Sequence, residues 1–241
     1  MILPLGVLFN LAFNTQSNPT IYMIGDSTMA NKEDNKRPET GWGQVLHNYF
    51  SEEVHIENHA KNGISSKSFY DEGLWKLVKD KLKPGDYVFI QFGHNDSKDH
   101  DPKRFTVPAT GYRQQLVRYV EQTRSKGAHP ILLSSIVRRS FNEHGVLVDT
   151  HGLYPIVVRE VAVSYHVPFI DLQLISEQMV LKLGQEKSKN MFLWLMPGEN
   201  INYPAGVKDN THLNINGANR ISKAVVKEIK QMKFGLSQYI K

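Results

Sequence analysis

Short polar segments of this sequence contain a serine, a histidine and an aspartate, the residue types that together carry out nucleophilic catalysis. Ser27 lies in Gly25–Thr28, and Asp209 and His212 lie in a second segment, Asp209–His212. A serine hydroxyl is a poor nucleophile until a base such as His212 accepts its proton. The spacing of three predicts that Asp209 and His212 share one side of a helical turn. The carboxylate can then orient the imidazole and stabilise its charged form.

Two further segments supply hydrogen-bond donors for the negative charge of a tetrahedral intermediate. Gly63 can bring a bare backbone N–H up to the reacting oxygen, and the side-chain amide of Asn95 can donate to the same atom. The N–H of Ser27 is the third expected donor. Each residue also has a structural explanation, because Ser27 can cap a helix, Gly63 can supply a turn with positive φ, and Asn95 can cap a turn. The complete set favours acyl transfer.

Five apolar runs predict the strands of a buried parallel sheet. They lack the alternation of a half-exposed strand, as expected where helices cover both faces. The predicted strands are Tyr22–Gly25, Val54–Asn58, Tyr87–Phe92, Pro130–Ile136 and Val167–Asp171. Helical patterns occur at Gly43–Phe50, Leu74–Leu82, Tyr112–Lys126, Tyr154–Tyr165 and Gly217–Lys233. The alternation predicts an α/β fold, a three-layer α/β/α sandwich, with its site at the carboxyl ends of the strands.

The N-terminal segment differs in composition from the rest of the chain. Met1–Phe13 is apolar and uncharged, which favours an export signal or its remnant, over residues 1–19, rather than a core helix. The run is too short to span a bilayer comfortably, so we expect a secreted or periplasmic protein without stable membrane insertion. Residues 20–241 are predicted to form one domain. Two long irregular stretches within it, Ser97–Thr110 and Gly184–Lys208, are expected to be functional loops.

Composition excludes several kinds of site. The chain has no cysteine, so thiolate metal sites and cysteine nucleophiles are excluded. Its ten histidines show no spacing of a recognisable ligand set, and we expect neither a metal nor another cofactor. A net charge of +5 fits either a basic soluble surface or attraction to a polyanionic substrate such as pectin. No nucleic-acid-binding motif accompanies that charge, so nucleic acid is not an expected partner.

The polar segments resemble, in order and in context, the four sequence blocks of the SGNH (GDSL-type) hydrolases. The matching positions are Gly25-Asp26-Ser27, Gly63, Gly93-His94-Asn95-Asp96 and Asp209-Asn210-Thr211-His212. The resemblance implies the flavodoxin-like SGNH hydrolase fold with a five-stranded parallel sheet. It also implies that Ser27 is the nucleophile, that Asp209 and His212 are its catalytic partners, and that Gly63 and Asn95 belong to the oxyanion hole.

Finer details are similar to one branch of that superfamily, the rhamnogalacturonan acetylesterases. The similar segments are Ile24–Ala30, Gly41–Gly43, Gln91–Asp96, Asp209–Leu213 and the pair Arg138-Arg139. Ile64 departs from the pattern, since a basic residue is expected after the glycine. The resemblance implies a serine esterase that removes O-acetyl groups from an acetylated plant cell-wall polysaccharide, rhamnogalacturonan or another pectin, through an acyl-enzyme on Ser27.

Five polar residues are candidates for contacts with the sugar: His94, Lys98, Arg138, Arg139 and Tyr203. Guanidinium groups suit galacturonate carboxylates, although either arginine can equally pair with a loop acid. Two other functions stay open. One is an SGNH esterase for acetyl-xylan, acetylated sialic acid, a lipid or a thioester, and the other is a non-catalytic carbohydrate-binding relative. The loops have no long apolar stretch suited to an acyl tail, which favours acetate.

Overall fold

Five parallel strands form the central sheet. The structure, a computed structural model, describes residues 18–233 and 235–241, so nearly all of the predicted export segment, residues 1–19, lies outside the described residues. The strands are β1 (Thr20–Gly25), β2 (His55–Asn58), β3 (Tyr87–Gln91), β4 (His129–Leu133) and β5 (Phe169–Ile170). They pair in the order β2-β1-β3-β4-β5. The predicted five-stranded parallel sheet is confirmed, and its strand order is the flavodoxin-like one.

Seven α-helices occur in the described chain. They are α1 (Trp42–Val45), α2 (Ser66–Asp71), α3 (Leu74–Lys79), α4 (Arg113–Arg124), α5 (Tyr154–Ser164), α6 (Leu172–Lys187) and α7 (Ile215–Met232). Five of them coincide with predicted helices, whereas α2 and α6 were not predicted. A capping box starts α2, in which Ser65 and Ser68 satisfy each other's backbone N–H groups. None of the helices in the described residues is both long and apolar enough to cross a membrane.

The helices cover both faces of the sheet. Successive residues of β1 point to opposite faces, so Ile21 and Met23 pack in one apolar cluster while Tyr22 and Ile24 pack in the other. The first cluster contains buried side chains of α1, α6 and α7, and the second contains those of α2, α3, α4 and α5. The predicted three-layer α/β/α sandwich is therefore confirmed.

A small antiparallel pair of strands lies outside the main sheet. It consists of β6 (Phe192–Leu195) and β7 (Val207–Leu213), and the sequence predicted neither. Phe192 pairs with Leu213 and Trp194 with Lys208, so one residue of β6 faces the four residues 209–212 of β7. The prediction that Asp209 and His212 share a helical turn is wrong, because this irregular part of a strand carries both of them.

The order of the strands brings the polar segments together. The chain moves from β1 to β2 on one side and then returns to place β3 on the other side of β1. In sheets of this kind the adjacent strand ends diverge at the reversal and leave a crevice at their carboxyl ends. Ser27 follows β1 and Asn95 follows β3, so both lie at this crevice.

Candidate active site

A continuous chain of hydrogen bonds connects Ser27, His212 and Asp209. Nε2 of His212 lies 2.9 Å from Oγ of Ser27, and Nδ1 of His212 lies 2.7 Å from Oδ2 of Asp209. The other carboxylate oxygen, Oδ1 of Asp209, accepts hydrogen bonds from the N–H groups of Thr211 (2.7 Å) and His212 (2.9 Å). The aspartate therefore caps its own turn, and this turn brings the side chains of residues 209 and 212 together without a helix.

The carboxylate of Asp209 is ionised at neutral pH. Burial alone would raise its pKa, but hydrogen bonds from the His212 ring and from the backbone of His212 and Thr211 lower that pKa to about 2. A negative charge beside Nδ1 of His212 favours the tautomer with its proton on Nδ1. Nε2 is then free to accept a proton from the Ser27 hydroxyl, which is the arrangement that general-base activation of serine requires.

The turn that carries Ser27 is held by the buried carboxylate of Asp26. Oδ1 of Asp26 accepts from the N–H (3.0 Å) and the hydroxyl (2.8 Å) of Thr28, and Oδ2 lies 3.1 Å from Nδ1 of His94. Burial raises the pKa of Asp26, but the interactions with His94 and Thr28 outweigh it and lower the pKa to about 2. Within the described residues the Ser27 hydroxyl bonds only to His212, so it does not cap a helix.

The segment Gly41–Gly43 packs closely against the turn that carries Ser27. Trp42 donates its backbone N–H to the carbonyl of Thr28 at 3.0 Å, and its ring Nε1 donates to Gln91 at 2.6 Å. Gln91 in turn donates to the Thr28 hydroxyl at 2.8 Å. A Cβ on Gly41 would lie 2.0 Å from the carbonyl oxygen of Ala30, which explains why glycine is required at this approach.

Three hydrogen-bond donors belong to residues that line the crevice beside Ser27. Gly63 has a φ of +75°, in the left-handed region that favours glycine. Nδ2 of Asn95 donates to the carbonyl of Ile64 at 3.0 Å, which occupies one of the two amide hydrogens and orients the group. Within residues 18–233 and 235–241, the N–H groups of Ser27 and Gly63 have no hydrogen-bond acceptor. The free donors suit a developing oxyanion.

A second buried carboxylate, Asp96, joins the Asn95 segment to the Gly63 segment. It accepts hydrogen bonds from the backbone N–H and the hydroxyl of Ser66, and from the hydroxyl of Thr106 at 3.0 Å. Burial raises the pKa of Asp96 to about 6 in spite of these bonds. Asp96 therefore fixes the start of α2, next to Gly63, against the end of β3.

An open cavity of about 400 Å³ lies in front of Ser27. Its lining comprises Ser27, Glu39, Asn62, Gly63, His94, Asn95, Lys98, Arg138, Thr211 and His212. Glu39, Asn62 and Thr211 are not among the site residues predicted from the sequence. Asn62 and Thr211 adjoin predicted site residues, which is a usable signal. No predicted site residue adjoins Glu39 in the sequence. Its position in the cavity wall depends on the buried Lys32, whose Nζ lies 2.8 Å from Glu39 Oε1 and 2.6 Å from Asn62 Oδ1.

The structure brings three of the five candidate sugar contacts to the cavity: His94, Lys98 and Arg138. Arg139 is not among them, and the prediction that it contacts the substrate is wrong. Its side chain is buried, and it donates to Ser188 Oγ (3.0 Å), Asn210 Oδ1 (2.8 Å) and the carbonyl of Gln185. A guanidinium with its donors used in this way holds the turn after α6 against β7 instead of binding a ligand.

Tyr203 lies outside the cavity lining, and its contact with the sugar stays a prediction. It sits in the connection between β6 and β7, and its hydroxyl donates to the carbonyl of Lys36 at 3.0 Å. Neighbouring Asn202 donates its side-chain amide to the carbonyls of Asp34 (3.1 Å) and Arg37 (2.8 Å). These bonds fasten the hairpin connection to the loop that leads to Glu39 in the cavity wall.

Comparisons with known proteins agree with this architecture. The GDSL-like Lipase/Acylhydrolase family model matches residues 23–220. The rhamnogalacturonan acetylesterase RhgT of Bacillus subtilis (strain 168) is 38% identical over 220 residues, which cover 91% of this chain and 93% of the relative. The crystal structure of YxiM from Bacillus subtilis is similar with a TM-score of 0.77 and 26% identity, covering 91% of this chain but only 58% of YxiM. The acetylxylan esterase Axe2 of Geobacillus stearothermophilus shares the fold, with a TM-score of 0.64 and 20% identity over 88% of this chain and 94% of Axe2.

Proposed function

The chain belongs to the GDSL-like lipase/acylhydrolase family, and we propose that it removes O-acetyl groups from rhamnogalacturonan through an acetyl-enzyme on Ser27. The predicted resemblance to SGNH hydrolases of the rhamnogalacturonan acetylesterase branch is confirmed. The protein is a carboxylic ester hydrolase. The observation that carries the proposal is the chain of hydrogen bonds from Asp209 through His212 to Ser27. Ser27 and His212 line a polar cavity.

The first half of the proposed reaction forms the acetyl-enzyme. Oγ of Ser27 attacks the carbonyl carbon of the acetyl ester while Nε2 of His212 accepts the hydroxyl proton. The carbonyl oxygen becomes an oxyanion and accepts hydrogen bonds from the N–H groups of Ser27 and Gly63 and from Nδ2 of Asn95. As the intermediate collapses, His212 returns the proton to the sugar oxygen, the ester C–O bond breaks, and the deacetylated polysaccharide leaves.

The second half releases acetate and restores the serine. His212 accepts a proton from a water molecule, whose oxygen attacks the acetyl-enzyme carbonyl and forms a second oxyanion at the same three donors. Collapse then breaks the bond between the acetyl carbon and Ser27 Oγ, which takes the proton back from His212. Asp209 stays ionised throughout and stabilises the positive charge that His212 carries in each half.

Replacing Asn95 with alanine tests the oxyanion donors. We expect Asn95→Ala to lower kcat for an aryl acetate by roughly 10²–10³-fold, the usual effect of losing one such donor. KM should change little, because the donor is used fully only in the transition state. Steady-state kinetics on protein whose thermal unfolding matches the wild type would measure this. A loss of kcat below about threefold would remove Asn95 from the oxyanion hole.

The substrate is tested by acetate release from a panel of acetylated polysaccharides. We expect the highest kcat/KM on acetylated rhamnogalacturonan and a lower value on acetylated xylan. Among aryl esters, acetate should be preferred over butyrate and octanoate, because the cavity is small and lined mainly by polar side chains. A preference for xylan or for octanoate would contradict the substrate assignment. Polysaccharide binding without any acetate release would instead favour a non-catalytic relative.

We further propose that the protein is secreted or periplasmic. Met1–Phe13 has the apolar, uncharged character of an export signal, and a cell-wall polysaccharide lies outside the cytoplasm. Residues 20–241 would then constitute the exported domain, without stable membrane insertion. Mass measurement of the protein recovered from the culture medium or periplasm tests this, and retention of the whole product in the cytoplasm would contradict it.

A further inference from the structure

The cavity in front of Ser27 is lined by two cationic side chains that make no ion pair with any of the described residues. Its one carboxylate, on Glu39, is paired with the buried Lys32 at 2.8 Å. The two histidines of the lining each face a carboxylate of their own, Asp209 for His212 and Asp26 for His94. Apart from Glu39 and the two histidines, the ionisable groups of the lining are the ammonium of Lys98 and the guanidinium of Arg138, and both are cations.

Lys98 makes no direct contact with a carboxylate of the described residues. Its side chain is half-buried, and within the described part of the chain its ammonium makes neither a hydrogen bond nor an ion pair. Burial and the neighbouring Arg104 and Arg138 lower the pKa of Lys98, against a weaker opposing effect of Asp101 and Asp26. Asp101 forms an ion pair with Arg104, in which Oδ2 of Asp101 lies 2.5 Å from Nε of Arg104. A half-buried cation among like charges is costly unless an anion joins it.

Arg138 is fixed in place by neutral acceptors. Nη1 donates to the carbonyl (3.0 Å) and the hydroxyl (3.2 Å) of Thr150, and Nη2 donates to the carbonyl of His94 (3.0 Å). No carboxylate of the described residues lies within ion-pair distance of it, so the pairing with a loop acid that the sequence left open does not occur. Burial lowers the pKa of Arg138, and Asp26 and Asp149 oppose this effect without making an ion pair, so the preorganised guanidinium can still contact an anion directly.

We propose that Lys98 and Arg138 form a subsite for the carboxylate of a uronate residue in the substrate, with Lys98 as the flexible contact and Arg138 as the fixed one. The inference rests on the proposed function, because a rhamnogalacturonan chain contains galacturonate, which is anionic at neutral pH. The carboxylate makes the direct ion pair that both cations lack and positions the neighbouring acetyl ester at Ser27. A neutral acetylated chain such as xylan offers no such group, so the subsite determines specificity.

The subsite is tested by competitive inhibition with oligogalacturonate that carries no acetyl groups, using aryl acetate hydrolysis as the readout. The same oligomer with its carboxylates methyl-esterified is the neutral counterpart. For the wild type we expect the free acid to inhibit at about a tenfold lower Ki than the methyl ester, the usual value of one charge-assisted hydrogen bond. Lys98→Gln should raise the Ki of the free acid and leave only the part of this difference that Arg138 supplies.

Lys103→Gln is the matched control, because Lys103 is an exposed lysine of the same loop that does not line the cavity. It removes the same charge and should keep the tenfold preference for the free acid. Equal Ki values for the two oligomers on the wild type would overturn the proposal without any variant. An equal loss of preference in Lys98→Gln and Lys103→Gln would also overturn it, since long-range attraction would then suffice.

The inhibition assay separates this proposal from the proposed function. Inhibition reports carboxylate binding, whereas acetate release from rhamnogalacturonan reports the substrate that is turned over. Acetate release with no preference between the two oligomers would overturn the subsite and leave the proposed function standing. A Lys98-dependent preference for the free acid, with no acetate release from rhamnogalacturonan, would support the subsite and overturn the assigned polysaccharide.

Discussion

Replacing Ser27 with alanine is expected to lower kcat for aryl acetate hydrolysis by roughly 10⁶-fold, the effect of losing the nucleophile in an enzyme that works through an acyl-enzyme. Without Oγ no acetyl group can be held on the protein, and His212 has no hydroxyl to deprotonate. The oxyanion donors remain and should leave about 10³–10⁴-fold acceleration over the uncatalysed reaction. Steady-state rates and mass spectrometry of quenched protein would measure both losses.

Two further variants show whether Ser27 and His212 act as a unit. His212→Ala should lower kcat to a similar level, and the double variant should be scarcely slower than either single one, because the two groups serve one step. Ser125→Ala makes the same chemical change at an exposed serine beyond the end of α4 and should keep full activity. Activity of Ser27→Ala within tenfold of the wild type would exclude Ser27 as the nucleophile.

The central sheet could be predicted from the sequence because buried parallel strands are apolar on both faces. The predicted runs at residues 22–25 and 87–92 match β1 and β3 to within two residues, and these two strands occupy the middle of the sheet. The edge strand β5 is shorter than predicted, with two residues instead of the five in Val167–Asp171. The apolar run is longer than the strand because Val167, which precedes β5, also packs in the core.

The antiparallel pair β6 and β7 could not be predicted, because its strands carry a mixed pattern and pair through an irregular register. The spacing of Asp209 and His212 correctly suggested that their side chains meet, but the reason was wrong. A helical turn and an aspartate-capped turn both bring residues three apart together. Sequence spacing alone does not distinguish a helical turn from an aspartate-capped turn, since the conformation of residues 209–212 depends on the pairing of β7 with β6.

The charged groups that line the cavity are the other feature that could not be predicted from the sequence. Arg138 and Arg139 are adjacent, and an extended backbone sends neighbouring side chains to opposite sides. Arg138 lines the cavity, while Arg139 is buried against Ser188 and Asn210. Which of the two reaches the cavity depends on the phase of the chain after β4, and no residue type in the sequence determines that phase.

Replacing Asp209 with asparagine is expected to lower kcat for an aryl acetate by roughly 10⁴-fold while the fold is retained. Asparagine keeps an oxygen that can accept from the N–H groups of Thr211 and His212, so the turn can persist. Its amide nitrogen would face Nδ1 of His212 and donate to it, which moves the ring proton to Nε2. The histidine then cannot accept the Ser27 proton, and the charge that stabilises the imidazolium is lost.

The pKa of about 2 for Asp209 makes this effect independent of pH across the neutral range. The wild-type carboxylate is already ionised there, so the ratio of the wild-type and Asp209→Asn values of kcat should reflect the missing charge and the altered tautomer, and not the titration of residue 209. Asp80→Asn is a suitable control, since Asp80 is exposed and, among the residues that the structure describes, forms an ion pair only with Lys76, at 2.5 Å. It should leave kcat unchanged. If Asp209→Asn lowered kcat by less than about a hundredfold, His212 would not depend on this carboxylate for its tautomer. Another group of the cavity would then orient the ring.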